Sequence, residues 1–331
     1  MNPEKKAVTG NVLRDEVHAA PEHRIPLIQG FLYEKSVLMI SSDPGLGKSV
    51  VATCAMAQMS CGVPVFGALE VPKPVNCYYL PLERGKEEVY ERLRKMEEVI
   101  PINYNNIWVN ENFIGCDLTQ HSIALELIET IKYDCPKIQV LFLDPIYQAV
   151  AGDLASGQVG SKFSRFSAFI QHELGCSNWL NHHTSRDTYS LYGRKIEKND
   201  PFYGSQWLKA HCTGAYYLKE CKDTDGVILM RKKDSHSNLL SNIPLGFDDE
   251  TYVCDLRGAM ADTPVTERLE TFLKSCKKSN KKFTFRQLEG CMVGVSTSYL
   301  RELIRHPQYT PYLKKHKNIG SSTLYEVLEG I

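Results

Sequence analysis

The sequence predicts an α/β fold with a mainly parallel sheet and crossover helices, followed by a small C-terminal unit of different pattern. Three observations lead there. From Lys35 onward, strand-length apolar runs alternate with helical patterns. A Gly-rich loop ending in Lys-Ser lies between the first such strand and the first such helix. Charge is uneven along the chain: 39 Lys and Arg balance 39 Asp and Glu overall, yet Thr263 to Ile331 carries twelve basic and six acidic residues, a net +6 that leaves −6 on the rest.

With 331 residues, 43% apolar and 24% charged, the chain can bury one large core and a satellite, which excludes disordered and fibrous classes. The longest apolar runs, Val37 to Ile40 and Val140 to Leu143, are far below the roughly 18 residues a membrane helix needs. No apolar segment follows the positive charges of the N-terminus, so no secretory signal is expected there. The eleven cysteines are odd in number and form no CxxC spacing, as for reduced thiols. A cytoplasmic protein with no membrane partner is expected.

Residues 1–30 read as a polar arm with a short helical pattern around Val12 to Val17. Residues 31–256 carry the alternation. Ser36 to Ser41 precedes the helical Val50 to Met59, Asn76 to Leu82 precedes Lys86 to Val99, and Ile138 to Asp144 precedes Phe163 to Leu174. Ser177 to Leu180, Ala215 to Leu218 and Gly226 to Met230 are further strand expectations. Residues 257–262, inside DLRGAMADT, read as a linker. In residues 263–331, Pro264 can open a helix in which Val265, Leu269, Phe272, Leu273 and Cys276 recur at helical spacing. Helices around Phe285 to Gly290 and from Ser296 follow, then a hairpin over Leu313 to Leu328, which together make a winged-helix arrangement.

The loop SSDPGLGKS, Ser41 to Ser49, has the context a phosphate cradle needs. A strand delivers it, its amides wrap the phosphates, and the following helix points its N-terminus at them. The cradle is Asp43, Pro44, Gly45, Leu46, Gly47, Lys48, Ser49 and Val50, with Lys48 reaching the β and γ phosphates of ATP and Ser49 ligating Mg2+. The pattern asks for Gly at position 42 and finds Ser42. Asp144 ends the strand IQVLFLD, where it would hold the metal through its water shell. Glu83 ends CYYLPLE at the same carboxyl edge, where a carboxylate can orient and deprotonate the attacking water; its alternative reading is the surface start of an acidic helix. In WLNHHTS, His183 can hydrogen-bond the γ phosphate and His182 can be a core group, since neighbours on a strand face opposite ways.

Taken with GVPVFG (Gly62 to Gly67), LFLDPIYQAV and GSQWLKAHCTGAYYL (Gly204 to Leu218), these motifs resemble the RecA-type P-loop ATPases, and within them the RepA-like plasmid and phage replicative helicases, over roughly residues 25 to 240. The resemblance implies a homo-oligomer, usually a hexameric ring, with ATP between neighbours and single-stranded DNA in a central channel. It also implies that Glu83 activates water, that Asp144 supports the metal and that His183 couples hydrolysis to the DNA loops. Where the plasmid helicase has an arginine that reaches the neighbour's site, this chain has Thr213; Arg231, Lys232 and Lys233 are the replacements, Lys233 first. A recombinase or mediator ATPase, and an ATP-switched DNA-binding initiator without helicase activity, are the alternatives.

Two loops leave the carboxyl edge. Ala149 to Lys162 is rich in Gly and Ser, and Arg186 to Tyr203 interleaves Tyr189 and Tyr192 with Arg194, Lys195 and Lys198, as sequence-tolerant single-strand binding requires. In the C-terminal unit Tyr299, Leu300, Leu303 and Ile304 are available for packing, while Arg301 and Arg305, with Lys314, Lys315 and Lys317 on the wing, are available to duplex DNA; a protein-docking or ring-bracing role is the alternative.

Overall fold

The structure, a computed structural model, describes residues 9–21, 24–183, 188–189, 195–196, 206–221, 226–235, 239–240, 242–256, 269–270, 273–274, 276–277, 282–285, 288, 297–316 and 323–328. Helix α1 (Gly10–Ala19) comes first and is exposed along its length. A hairpin of β1 (Pro26–Ile28) and β2 (Leu32–Tyr33) follows. Leu27 and Ile28 are buried, so the packed body takes in the end of the polar arm.

The chain then alternates as its pattern predicts. Strand β3 (Val37–Ser42) feeds α2 (Lys48–Cys61), and β4 (Cys77–Pro81) feeds α3 (Lys86–Met96). A further unit, β5 (Ile107–Val109) with α4 (His121–Asp134), precedes β6 (Val140–Asp144), α5 (Gly157–Leu174) and β7 (Ser177–His183). This unit is an addition to the expected alternation: IWV is too short to show a period, whereas Ala124, Leu127, Ile128 and Ile131 of α4 recur at helical spacing and are buried. A two-stranded ribbon, β8 (Thr188–Tyr189) and β9 (Lys195–Ile196), leads towards α6 (Gln206–His211). Strands β10 (Gly214–Cys221), β11 (Gly226–Asp234), β12 (Asn242–Phe247) and β13 (Cys254–Leu256) complete the core.

The main sheet has nine strands in the order β13-β12-β11-β10-β3-β7-β6-β4-β5. From β10 to β5 all pairings are parallel, and from β10 to β13 the chain returns as an antiparallel meander. Both faces of the parallel part are covered, which is why VLMISS, CYYLP and VLFLD are continuously buried. Alternation sorts their side chains: Leu38, Ile40, Tyr79, Phe142 and Trp179 join the core beneath α2 and α3, and Met39, Tyr78, Leu80, Leu141 and Leu143 join the core beneath α4 and α5. A chain of tilted and stacked rings runs through the first core. Tyr216 meets Phe31 at 5.0 Å, Phe31 meets Trp179 at 5.5 Å, Trp179 meets Phe142 at 5.2 Å, and Phe142 meets Tyr79 at 5.6 Å. Each such pair adds about 0.5–1.5 kcal/mol beyond its buried area.

One expectation is corrected. The flexible loop predicted over Ala149 to Lys162 is shorter, because α5 starts at Gly157. Its glycines disfavour helix, but the side chain of Ser156 caps the first turn by accepting from the Val159 amide at 3.4 Å.

At the C-terminal end, β14 (Phe283–Thr284), β16 (Leu324–Val327) and β15 (Leu313–Lys315) form an antiparallel sheet in that order, so the predicted hairpin is present. Helix α7 (Thr297–Leu303) lies in the stretch predicted from Ser296, and Leu269, Leu273, Leu288, Leu300, Leu303 and Ile304 share a core with Phe283, Tyr325 and Val327. Tyr299, one of the residues available for packing, is exposed instead, one position off the buried face.

Candidate nucleotide site

Strand β3 ends at Ser42 and α2 begins at Lys48, so the intervening turn is only Asp43 to Gly47. Gly45 and Gly47 hold φ of 84° and 85°, the left-handed region that favours glycine. Around Gly45 there is open space, whereas a Cβ on Gly47 would come within 2.8 Å of the Phe247 ring. Ser42 continues the strand, paired with His183 on one side and Leu218 on the other. No left-handed residue is needed there, which removes the objection raised by the missing glycine. Asn181 fixes the turn from below: its amide accepts from the Trp179 indole at 3.1 Å and donates to the Lys48 carbonyl at 3.4 Å.

Lys48 is buried and folded back on the loop. Its Nζ donates to Ser42 Oγ at 2.8 Å, to the Ser42 carbonyl at 3.3 Å and to the Asp43 carbonyl at 3.4 Å, and lies 3.4 Å from His183 Nδ1. Burial lowers its pKa to about 8, and the more distant carboxylates of Asp144, Asp43 and Glu83 oppose this only in part. Among the described residues it has no ion pair. A buried ammonium facing neutral oxygens beside open glycine backbone is a site short of negative charge, and a phosphate chain supplies it.

The other predicted residues converge from neighbouring strand ends. Asp144 closes β6, is buried, and accepts from the Tyr79 hydroxyl. Glu83 stands two residues beyond β4, exposed at the cleft mouth; burial first, and the Glu83 carboxylate after it, raise the pKa of the nearby Tyr147 phenol. His183 closes β7 with its ring 5.0 Å from that of Tyr147. Burial first and the Lys48 charge second lower its pKa, so it is neutral at pH 7. His182 faces the other way and is fully buried. A cleft of about 520 Å³ joins Pro44, Gly45, Gly47, Lys48, Ser49 and Val50 with Glu83, Asp144 and His183. Leu46 packs on the core instead, and Asp43 contributes its carbonyl to Lys48. Among the described residues no group of three His, Cys, Asp or Glu could cage a metal. Ser49, Asp144 and a polyphosphate match the sparse protein ligation that Mg2+ accepts.

Several cleft residues are absent from the sequence reading. Arg92 and Arg84 reach in from α3 and its approach, both held by Glu88 at 2.8 and 3.3 Å. Their i, i+4 spacing is visible in the sequence, but it looks the same on a solvated helix. The hydroxyls of Tyr79 and Tyr147 carry no sequence signal at all.

Elsewhere the predicted residues are dispersed. The Lys233 ammonium donates to the carbonyls of Lys209 and Ala210 in the last turn of α6, at 2.7 and 2.8 Å. Register puts it at the end of the sheet away from the phosphate loop, since Lys233 pairs with Ala215, which pairs with Met39. Arg231 is tied to Asp234 at 3.2 Å, and Lys232 is exposed. Thr213 stitches β10 to β3 by exchanging hydrogen bonds with Val37 at 2.9 and 3.0 Å. Tyr189 and Lys195 occupy paired backbone positions of the β8–β9 ribbon, while Tyr192, Arg194 and Lys198 lie outside the described residues. Arg301 lies over the Phe285 ring at 5.2 Å, and Arg305, Lys314 and Lys315 are exposed; Lys317 lies outside the described residues.

A parallel sheet whose central strand delivers a glycine loop and a buried lysine, with acids and a histidine on the neighbouring strand ends, defines a RecA-like P-loop ATPase. Over residues 3–188 the chain matches the AAA domain family, and it belongs to that family; it is an ATP-binding protein. No curated protein matches it. Among solved structures, an ATPase domain is similar with a TM-score of 0.55 at 15% identity, over 75% of this chain and 97% of that one. A DnaB-like replicative helicase, described with its interactions with primase, is similar with a TM-score of 0.55 at 14% identity, over 75% of this chain and 67% of that one. At these identities the likeness is one of fold.

A proton-linkage result follows from the depressed Lys48 pKa. Phosphate binding favours the ammonium form, so ATP binding at pH 8 to 9 is expected to take up a fraction of a proton. Calorimetry in buffers of different ionisation enthalpy reads this directly. Uptake should fade towards pH 6, where Lys48 is already charged; a pH-independent proton count would contradict the assignment.

Proposed function

We propose that this protein is a replicative helicase of the RepA-like type, which hydrolyses ATP at subunit interfaces of a hexameric ring and moves on single-stranded DNA. The observation that carries the reading is the convergence of Lys48, Glu83, Asp144 and His183 on one cleft, from the ends of β3, β4, β6 and β7. Lys48 would release the Ser42 and Asp43 oxygens and bind the β and γ phosphates. Glu83, at the cleft mouth, would orient the attacking water and accept its proton. Neutral His183 would hydrogen-bond the γ phosphate, and its loss on hydrolysis would be felt in the chain that follows β7. Magnesium, held by Ser49 and through water by Asp144, would neutralise charge on the phosphates. Tyr79 would keep Asp144 aimed at that position.

A cation from the neighbouring subunit would stabilise the transferring phosphate. Lys233 would have to leave the α6 carbonyls for this; Lys232, beside it, needs no such release. The basic C-terminal unit would act as a winged helix on duplex DNA through Arg301, Arg305, Lys314 and Lys315. The fold likeness to a solved ATPase domain and to a DnaB-like replicative helicase fits the motor reading; the recombinase and the initiator are the alternatives that the following test separates from it.

The test is strand displacement on a forked duplex, with native mass measured in ATP. Unwinding by a closed ring is expected. Helical filaments would favour the recombinase, and stoichiometric ATP retention with no turnover would favour the initiator.

A further inference from the structure

Ser42 stands where the phosphate-loop pattern asks for glycine, and its backbone, an extended strand end without a left-handed φ, would accept either residue. What serine adds is a hydroxyl. That hydroxyl donates its one proton to the Asp43 carbonyl at 2.6 Å, which leaves its lone pairs free to accept. The Lys48 ammonium, which can only donate, meets them at 2.8 Å. Proton count therefore fixes the direction of the chain from Lys48 to Ser42 to Asp43.

This is the shortest of the four contacts around the Lys48 Nζ; the Ser42 carbonyl lies at 3.3 Å, and the Asp43 carbonyl and His183 Nδ1 at 3.4 Å. The carbonyls would be present with glycine at position 42, so the hydroxyl is the contact that glycine would lack. It serves a buried cation, and hydrogen bonds to charged groups are among the stronger ones a protein makes. It is also held in place. Ser42 is fully buried, and its backbone pairs with His183 on one side and Leu218 on the other. Lys48 can swing out on its four-carbon stem, whereas the Ser42 oxygen turns about a single bond. When the ammonium moves to phosphate, the serine stays behind.

We propose that Ser42 is a positioning residue that latches Lys48 in the empty site, so that a nucleoside triphosphate or diphosphate has to break the latch in order to bind. Only molecules with Lys48 released are competent, and the apparent affinity falls by that fraction. The latch closes again as nucleotide leaves, which favours emptying of the site. The proposal rests on the reading of Lys48 as the phosphate-binding lysine and is independent of the helicase activity.

Calorimetry of the full chain with ADP and with a non-hydrolysable ATP analogue tests it, on the wild type, Ser42→Ala and Ser42→Gly. Both variants lack the hydroxyl and are expected to bind each nucleotide about three- to tenfold more tightly. Denaturant unfolding supplies the other side of the cycle: Ser42→Ala should be less stable than the wild type without nucleotide and equal to it with saturating analogue, because the latch exists only in the empty site. A merely structural serine would lower both states alike and leave the affinity where it was. Unchanged affinity in both variants would overturn the latch and leave the ATP site standing. Weaker binding by both would overturn it as well, making Ser42 a residue that holds Lys48 on the phosphates. A wild type that binds neither nucleotide would overturn the reading of Lys48, and the latch with it.

Discussion

Replacing Glu83 by glutamine is expected to cut ATP turnover by about 10²–10⁴-fold while nucleotide affinity stays within a few-fold of wild type. The amide keeps the size of the carboxylate at an exposed position, so the cleft retains its shape. It cannot take a proton from water at neutral pH, and only the transition state needs that. Steady-state phosphate release together with calorimetry of a non-hydrolysable ATP analogue separates the two effects. A wild-type rate would move the role to another group at the mouth; a loss of binding would make Glu83 a ground-state ligand.

Lys48→Met is expected to abolish both binding and turnover, and to stabilise the nucleotide-free protein. The first effect follows from removing the lysine that opens α2, whose Nζ reaches back across the phosphate turn to Ser42 and Asp43 at its start. The second follows from desolvation: a pKa lowered from 10.5 to about 8 means that the fold disfavours the charged form. In the wild type this penalty is present in full below pH 8 and is relieved as pH rises towards 10.5, because the unfolded chain then binds the extra proton. Methionine fills much the same volume without charge, so a gain on the order of 1 kcal/mol at pH 7 is expected, less what Ser42 loses as a partner. Denaturant unfolding with and without ATP checks it: the variant should be the more stable alone, and ATP should stabilise only the wild type.

These effects concern residues that could be found in the sequence because both faces of the sheet are covered. Full burial makes VLMISS, CYYLP and VLFLD stand out as unbroken apolar runs, and in a parallel sheet their carboxyl ends lie on one edge. Lys48, Glu83, Asp144 and His183 are legible from position alone. What lies between elements is less so. The Tyr79 bond to Asp144 spans two strands, the Phe247 ring reaches Gly47 from two hundred residues downstream, and Lys233 meets backbone carbonyls, which no side-chain pattern announces. The start of α5 is obscured by Gly157 and Gly160, where one cap outweighs poor propensity. The three-residue β5 shows no period, so its pairing to β4 is visible only in space.

ATP hydrolysis measured with and without single-stranded DNA tests the motor reading most directly. A rate that rises severalfold with oligo(dT), and not with blunt duplex of the same length, is the expected result. Hydrolysis indifferent to single strands at every concentration would contradict it, leaving an ATPase whose cleft works without a track.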